Sequence, residues 1–368
     1  MSPHTRKLQA WRAPLVALAA AAGLVALAGC GGQTPGAAPL RAGNSFASHG
    51  SSSRPGSYRL LSSANVSPDG SQSGVSGGAL FGGDYPLLPY EADLGRTLAI
   101  VRLYYFIGDA FPGAYKFGQL MAGGRTLLVS LDSNGASYAS IAAGNEDAEI
   151  TAFLESVNKA AVLHHLGAIY ICFEHEPDND AHRPLGSPAQ FVQAWDHVHQ
   201  LAESARLDWN DGGRLHWVFI LIHTSYENWR ASSFWPGAGE VDIVAADGYN
   251  SYGCRTASQA EAATARGTAP VTPASLFNPL VSFASAHGDL PVFLSEWGSD
   301  SIPSDAQSEF ISQMQTYVTD QPEIAAALYW NTGGHCSYKI NDHPASIAAM
   351  ATMGQSAALQ GHIATIPG

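Results

Sequence analysis

Two glutamates follow apolar, strand-like runs in the second half of the chain. The run Ile169–Phe173 leads through Glu174 and His175 to Glu176, and the run Pro291–Ser295 leads directly to Glu296. Two carboxyl groups are what glycoside hydrolysis requires, because one protonates the leaving oxygen while the other attacks the anomeric carbon. The pair predicts this chemistry if the fold brings both side chains to one cleft.

These residues, and two other features of the sequence, also fit other roles. A single carboxylate after a strand is usually a helix cap or an ion-pair partner, so only the pairing makes Glu176 and Glu296 catalytic candidates. Histidines near residues 174–176 suggest a metal site, but no His-Glu-x-x-His motif occurs because position 179 is Asn. Residues 74–78 match Gly-x-Ser-x-Gly, yet they lack the strand-turn-helix setting of a serine hydrolase. No phosphate-binding glycine loop is present either. From these absent motifs we expect no metal and no cofactor.

The elements that must position the glutamates alternate along the chain from Ala79 onward. Short apolar runs are separated by amphipathic helical stretches, a pattern typical of βα units around a parallel sheet. The eight candidate strands are Ala79–Gly82, Leu98–Tyr105, Thr126–Leu131, Ala168–Phe173, Leu215–Leu221, Val241–Ala246, Pro291–Ser295 and Ala326–Trp330. They predict a (β/α)8 TIM barrel over residues 76–362, with the glutamates after the fourth and seventh strands, on the active face of such a barrel.

Local signals support helices between these strands. Ser187 and Ser304 each begin a Ser-x-x-Gln capping box. Ile150, Phe153 and Val157 are spaced to form one apolar helix face.

At these motifs the sequence resembles glycoside hydrolase family 26 of clan A, best known for β-mannanases. The resemblance spans roughly residues 79–350 and rests on these motifs in order: His175-Glu176, Pro236-Gly237, Val241-Asp242-Ile243-Val244, Asp247-Gly248-Tyr249-Asn250, Ser295-Glu296-Trp297-Gly298 and Tyr329-Trp330-Asn331. It implies Glu176 as acid/base and Glu296 as nucleophile. It further implies His175 as a polar partner in the site, Tyr249 as a hydrogen-bond donor to the nucleophile, and Trp330 as the floor under the sugar at the cleavage point. Trp297, next to Glu296, is also expected to bind substrate.

Arg102 lies within the second candidate strand. If its side chain points inward, it places a cation near the acidic site, where clan A barrels often keep a basic residue. The alternative is an Arg that packs its stem among the outer helices with its head in solvent. Trp229 and Trp235, in the loop before the sixth strand, either stack on sugar rings or anchor that loop by packing.

We therefore expect a retaining hydrolase of β-linked polysaccharide, with β-1,4-mannan or a related glycan as substrate. The chain has Phe173-Glu174 before His175-Glu176, where the family usually has an Arg, and residues 177–180 after it, where the family has Asn-Gly followed by Trp. Mixed-linkage glucan and xylan therefore remain alternative substrates. A lipid-tethered glycan-binding barrel without catalysis and a solute-capture lipoprotein are the alternatives from other classes.

The N-terminus carries an export signal. Arg6, Lys7 and Arg12 precede the apolar run Ala13–Ala28, which ends in a lipobox-like Leu-Ala-Gly-Cys sequence at Cys30. We expect a signal peptide over residues 1–29, lipidation of Cys30 and a Gly/Ser/Pro-rich tether over residues 30–75, which would anchor the protein outside the cytoplasm through its lipid alone. A membrane-spanning anchor is the alternative, although the run is short for a span.

The net charge of the processed chain argues against some classes of binding partner. Processing would leave 15 Lys and Arg against 31 Asp and Glu, a net charge of −16, which would repel the phosphates of nucleic acids. We expect a monomer whose partner is a polysaccharide or oligosaccharide.

Cys172 lies in an apolar strand, whereas Cys254 and Cys336 fall in loops of an exported chain and are candidates for a disulfide.

Overall fold

The computed structural model describes residues 73–84, 88–113, 117–251, 254, 271–301, 305–333 and 336–366. The predicted signal peptide, Cys30 and almost all of the predicted tether lie outside these ranges, as does Ser304 of the second predicted capping box. Within the described part of the chain, none of the helices is both long enough and apolar enough to cross a membrane.

Eight parallel strands close into a barrel, which confirms the predicted fold class. The barrel strands are β2 (Leu80–Asp84), β3 (Ile100–Phe106), β4 (Thr126–Asp132), β5 (Ile169–Phe173), β6 (Leu215–Ile222), β7 (Ile243–Asn250), β8 (Val292–Ser299) and β9 (Ile324–Tyr329). Each of the eight predicted strands overlaps one of them. A separate antiparallel pair joins β1 (Val75–Ser76) to β10 (His362–Ile363).

Helices follow the strands and cover the outside of the barrel. Their bounds are α1 (Leu88–Leu94), α2 (Phe117–Leu120), α3 (Tyr138–Ala142), α4 (Asp147–Leu163), α5 (Pro188–Ser204), α6 (His223–Glu227), α7 (Ala231–Phe234), α8 (Pro273–Ala286), α9 (Ala306–Asp320) and α10 (Pro344–Gly354). Short 3-10 helices lie at Ala122–Gly124, Asp180–Leu185, Trp209–Asp211 and Ala357–Leu359. Helix α5 begins with the predicted capping box, in which Ser187 and Gln190 each bond the other's backbone N–H.

Alternation along the strands divides the core into two layers. Inside the barrel, the rings of Tyr170 and Phe293 meet edge to face with centroids 4.9 Å apart. Outside it, the predicted apolar face of α4, including Phe153, is buried, and Tyr105 of β3 packs on Phe153 at 5.1 Å. Because side chains point alternately to the two faces of a strand, Arg102 and Tyr104 point into the barrel where Tyr105 points to the helices.

Strand β8 contains a bulge next to the predicted nucleophile. Ala246 pairs with Leu294 and Asp247 pairs with Glu296, which leaves Ser295 as an extra residue in the ladder. A bulge of this kind lets two consecutive side chains project to the same side of a strand. Ser295 and Glu296 therefore both face the barrel interior, and the side chain of Trp297 turns to the helices.

Candidate active site

Glu296 is surrounded by hydrogen-bond donors from two other barrel strands, β3 and β7. The hydroxyl of Tyr104 donates to its Oε1 and the hydroxyl of Tyr249 donates to its Oε2. Arg102 Nη1 lies 2.9 Å from Oε1. The Glu296 side chain is buried, with 11% exposed. These contacts fix the orientation of the carboxylate, as attack by a nucleophile requires.

Beneath Glu296, Arg102 connects the site to the barrel core. Its guanidinium is buried and donates to Asp247 Oδ1 at 2.9 Å and Oδ2 at 3.2 Å, and Ser295 Oγ donates to the same Oδ1 at 2.6 Å. Burial raises the pKa of Asp247 to about 8; the Arg102 charge opposes this rise and the Glu296 charge adds to it. The Arg102 guanidinium thus contacts the carboxyl groups of both Asp247 and Glu296. Of the two predicted orientations of Arg102, the structure has the one that points into the barrel.

Glu176 lies in the loop after β5 and has a left-handed backbone, with φ of 49°. Its N–H donates to Ile220 O at 3.1 Å, and its carbonyl oxygen accepts from Asn179 N and from His182 Nδ1. Its carboxyl Oε2 accepts from Asn179 Nδ2 at 3.0 Å. Backbone strain of this kind, of about 1–3 kcal/mol, persists where surrounding contacts fix it, and it is frequent at active sites.

The two glutamates are in different electrostatic environments. Burial raises the pKa of Glu176, and the charge of Glu296 raises it further. Glu296 is instead the acceptor of two hydroxyls and a guanidinium. One carboxyl group with a raised pKa beside another that accepts hydrogen bonds from several donors is the arrangement expected of an acid and a nucleophile.

His175 separates the strained residues Glu174 and Glu176 and carries a second positive charge to the site. Its Nδ1 lies 3.0 Å from Asp132 Oδ1 at the end of β4. Although burial lowers the pKa of His175, the Asp132 carboxylate outweighs it and raises that pKa to about 9. The His175 ring meets Tyr104 edge to face at 5.4 Å, so the predicted polar residue lies beside a hydrogen-bond donor to Glu296.

Trp330 lies directly after β9 and is half-buried. Its ring meets Tyr104 edge to face, with centroids 5.7 Å apart. Next to it, Asp84 at the end of β2 accepts a hydrogen bond from Asn331 N at 3.0 Å. Burial raises the pKa of Asp84 to about 6, with a contribution from Glu296. Trp330 and Asp84 thus form one wall of the candidate site.

Trp297 does not join this group, so its predicted role in binding substrate is wrong. The side chain is fully buried and packs on Tyr329 and on Phe310 of α9. The cause is the period of the strand: with Glu296 pointing inward, the next residue must point to the helices. Trp235 is likewise a packing residue, against Phe219, whereas Trp229 is 82% exposed.

The structure also places the cysteines and the Gly-x-Ser-x-Gly sequence, which lie outside the candidate catalytic pair. Cys254 and Cys336 form a disulfide with Cα atoms 5.5 Å apart, and Cys172 is a buried free thiol. Ser76 of the Gly-x-Ser-x-Gly sequence lies in β1, ahead of the barrel strands and away from the glutamates. No group of three or more His, Cys, Asp or Glu residues among those described is arranged to hold a metal ion.

Sequence reasoning missed four residues of the site: Tyr104, Asp132, Asp84 and Tyr338. Tyr104 is two residues after Arg102 on the same strand face, so period-two alternation was a usable signal. Asp132 and Asp84 lie one and two residues beyond predicted strands, which also places them on the active face. Tyr338 lies in a loop and had no such signal; its ring stacks on that of Tyr249, with centroids 4.8 Å apart.

Solved structures with this fold include enzymes of one family. A modular endo-β-1,4-mannanase of Cellulomonas fimi matches with a TM-score of 0.55 at 14% identity, over 82% of this chain and 78% of that one. A family 26 β-mannanase of Bacteroides ovatus matches at 0.52 and 13%, over 76% and 89%, and a family 26 protein of a Muricauda species at 0.53 and 12%, over 76% and 86%. No family sequence model and no curated protein sequence matches the chain. The chain shares its barrel fold with glycoside hydrolase family 26.

Proposed function

We propose that this protein is a retaining glycoside hydrolase that cleaves β-linked polysaccharide, with β-1,4-mannan or a related glycan as substrate. The observation that carries the proposal is the unequal pair of carboxyl groups at one end of the barrel. Glu296 accepts hydrogen bonds from Tyr104 and Tyr249 and contacts Arg102, whereas the pKa of Glu176 is raised. The family 26 fold and its mannanase members support the substrate class.

In the proposed reaction the two glutamates act in two steps. Glu296 attacks the anomeric carbon while Glu176 gives its proton to the departing glycosidic oxygen, which leaves a covalent glycosyl-enzyme. Glu176, now ionised, removes a proton from water, and the oxygen of that water displaces Glu296 with net retention at the anomeric carbon. Trp330, at the wall of the site, is placed to stack on the sugar ring.

The test is hydrolysis of a panel of purified β-glycans together with an activated aryl glycoside. Glu296→Ala should abolish turnover of every substrate. Glu176→Ala should retain hydrolysis of the aryl glycoside and lose roughly 10²- to 10⁴-fold on glycans, because acid assistance matters least for a good leaving group. Azide should partly restore the Glu176 variant by attacking the glycosyl-enzyme.

Glu155→Gln on the exposed face of α4 is the matched control and should behave as wild type. Product anomers followed by NMR during the first turnovers should show retention. A wild-type protein that binds glycans but releases no reducing sugar from any of them would replace this proposal with the glycan-binding alternative.

A further inference from the structure

We propose that Tyr338 is a positioning residue for the nucleophile and that the Cys254–Cys336 disulfide holds it in place. The inference rests on the proposed function. Tyr338 belongs to the loop after β9 and does not itself contact Glu296. It acts through Tyr249, whose hydroxyl donates to Glu296 Oε2.

The contact between the two tyrosines is a parallel ring stack. Their centroids are 4.8 Å apart and their planes differ by 19°. A phenol hydroxyl moves when its ring turns about the side-chain torsions, so a ring packed on one face restricts where the hydroxyl can point. Tyr338 thereby limits the motion of the donor that orients Glu296.

Tyr338 is itself fixed at several atoms. Its N–H donates to Thr332 O at 2.9 Å, and its carbonyl accepts from the Tyr329 hydroxyl at 2.6 Å. Its hydroxyl is hydrogen-bonded to Ser251 Oγ at 3.2 Å. Gly298 leaves the space that the ring needs, since a Cβ there would lie 3.1 Å from the Tyr338 side chain. The Tyr338 ring therefore occupies a defined position against Gly298 of β8.

The disulfide joins the two loops that carry this stack. Cys336 is two residues before Tyr338, and Cys254 is three residues after Ser251. Cys254 is also anchored to the end of β8, because its N–H donates to Asp300 Oδ2 at 3.2 Å. The bond therefore fixes the loop of Tyr338 relative to the strand of Tyr249, although the two cysteines are 82 residues apart.

The decisive variants are Tyr338→Ala and Tyr338→Phe. Because the alanine variant frees Tyr249, we expect kcat on glycan to fall about 10-fold with KM within about twofold of wild type; this is less than the roughly 10²- to 10³-fold loss typical when a direct hydrogen-bond donor is removed. The phenylalanine variant keeps the ring and should stay within about twofold of wild type in both constants. Melting curves of both variants ensure that the assays use folded protein.

The disulfide is tested by Cys254→Ser with Cys336→Ser, with and without Tyr338→Ala. The double serine variant should lower kcat in the same way, and adding Tyr338→Ala should lower it little further, since residues that act as one unit are not additive. Fully multiplicative losses would show that the disulfide does not act through Tyr338.

Three results would overturn the inference while leaving the proposed function intact. They are wild-type kcat in Tyr338→Ala, an equal loss of activity in Tyr338→Phe, and a rise in KM alone, which would make Tyr338 a substrate contact. Absence of glycosidase activity in the wild-type protein would instead refute the proposed function.

Discussion

Arg102 offers the sharpest test of how the site is held together. It is 1% exposed, and its Nη1 lies 2.9 Å from both Asp247 Oδ1 and Glu296 Oε1. Replacing Arg102 by Met keeps most of the side-chain volume and removes the positive charge that contacts both carboxyl groups. Removing one partner of a buried ion pair typically costs about 3–5 kcal/mol, because the remaining charge is left unbalanced.

We therefore expect Arg102→Met to lower the free energy of unfolding by about 4 kcal/mol and the melting temperature by roughly 10 °C. The matched control is Arg183→Met, which breaks a 2.7 Å pair with Asp180 whose side chains are 69% and 74% exposed. An exposed pair contributes at most about 1 kcal/mol. Denaturation in urea, followed by circular dichroism, measures both variants.

Two further measurements on this variant test the charge argument. Asp247→Asn in the Arg102→Met background should recover roughly 1–3 kcal/mol, because it removes one of the unbalanced acids. The penalty of Arg102→Met should also grow as the pH rises above about 8. Burial raises the folded-state pKa of Asp247 to about 8 although the Arg102 charge lowers it, so removing Arg102 raises this pKa further. Above pH 8 the wild type loses no more stability through Asp247, whereas the variant continues to lose it. If Arg102→Met is no worse than Arg183→Met, or Asp247→Asn recovers nothing, Arg102 does not balance these acids.

Two other predictions concern the reaction and its substrate. Asn179→Asp keeps the side-chain oxygen that caps the following 3-10 helix but replaces the Nδ2 donor to Glu176 with a carboxylate. The pKa of Glu176 should rise further, so the alkaline limb of the kcat/KM profile should move up by about one pH unit; an unmoved limb would contradict Glu176 as the acid. Trp229→Ala, at the loop after β6, should raise KM for long glycans about 3- to 10-fold and leave an aryl glycoside unaffected, as expected for an aromatic platform. Leu163→Ala, also exposed, is its control and should change neither value.

The barrel was predictable because its signals are local and repeated. Each strand is an apolar run, the helices α4 and α5 each bury one apolar face, and α5 begins with the predicted capping box. The alternation of these units determines a parallel sheet, and the ends of its strands determine which face carries the site. Glu176 and Glu296 were found in this way, since both follow strands. Arg102 was located on the correct strand, but its direction required knowing which face of β3 points inward.

The errors and omissions arise where position depends on contacts distant in sequence. Trp297 was assigned to the site because it adjoins Glu296, yet the bulge at Ser295 sets the direction of both residues and cannot be recognised from a single strand. Tyr338 belongs to a loop that is positioned by Tyr329, Ser251 and the Cys254–Cys336 disulfide. The disulfide was a candidate in the sequence, but no sequence pattern indicated that Tyr338 would stack on Tyr249. Contacts of this kind are made by tertiary structure and must be observed.

The two halves of the site are built differently, and the difference matches what the proposed reaction requires of each glutamate. Glu296 lies on β8, with Arg102 and Tyr104 projecting from β3 across the barrel and Tyr249 from the neighbouring β7, so its donors are fixed by the barrel itself. Glu176 lies on a loop with a left-handed backbone, tied by Asn179 and by hydrogen bonds to its backbone. A nucleophile has to remain ionised and aligned for attack, which favours rigid donors. An acid/base has to change its protonation state in each half-reaction, which favours burial with few donors.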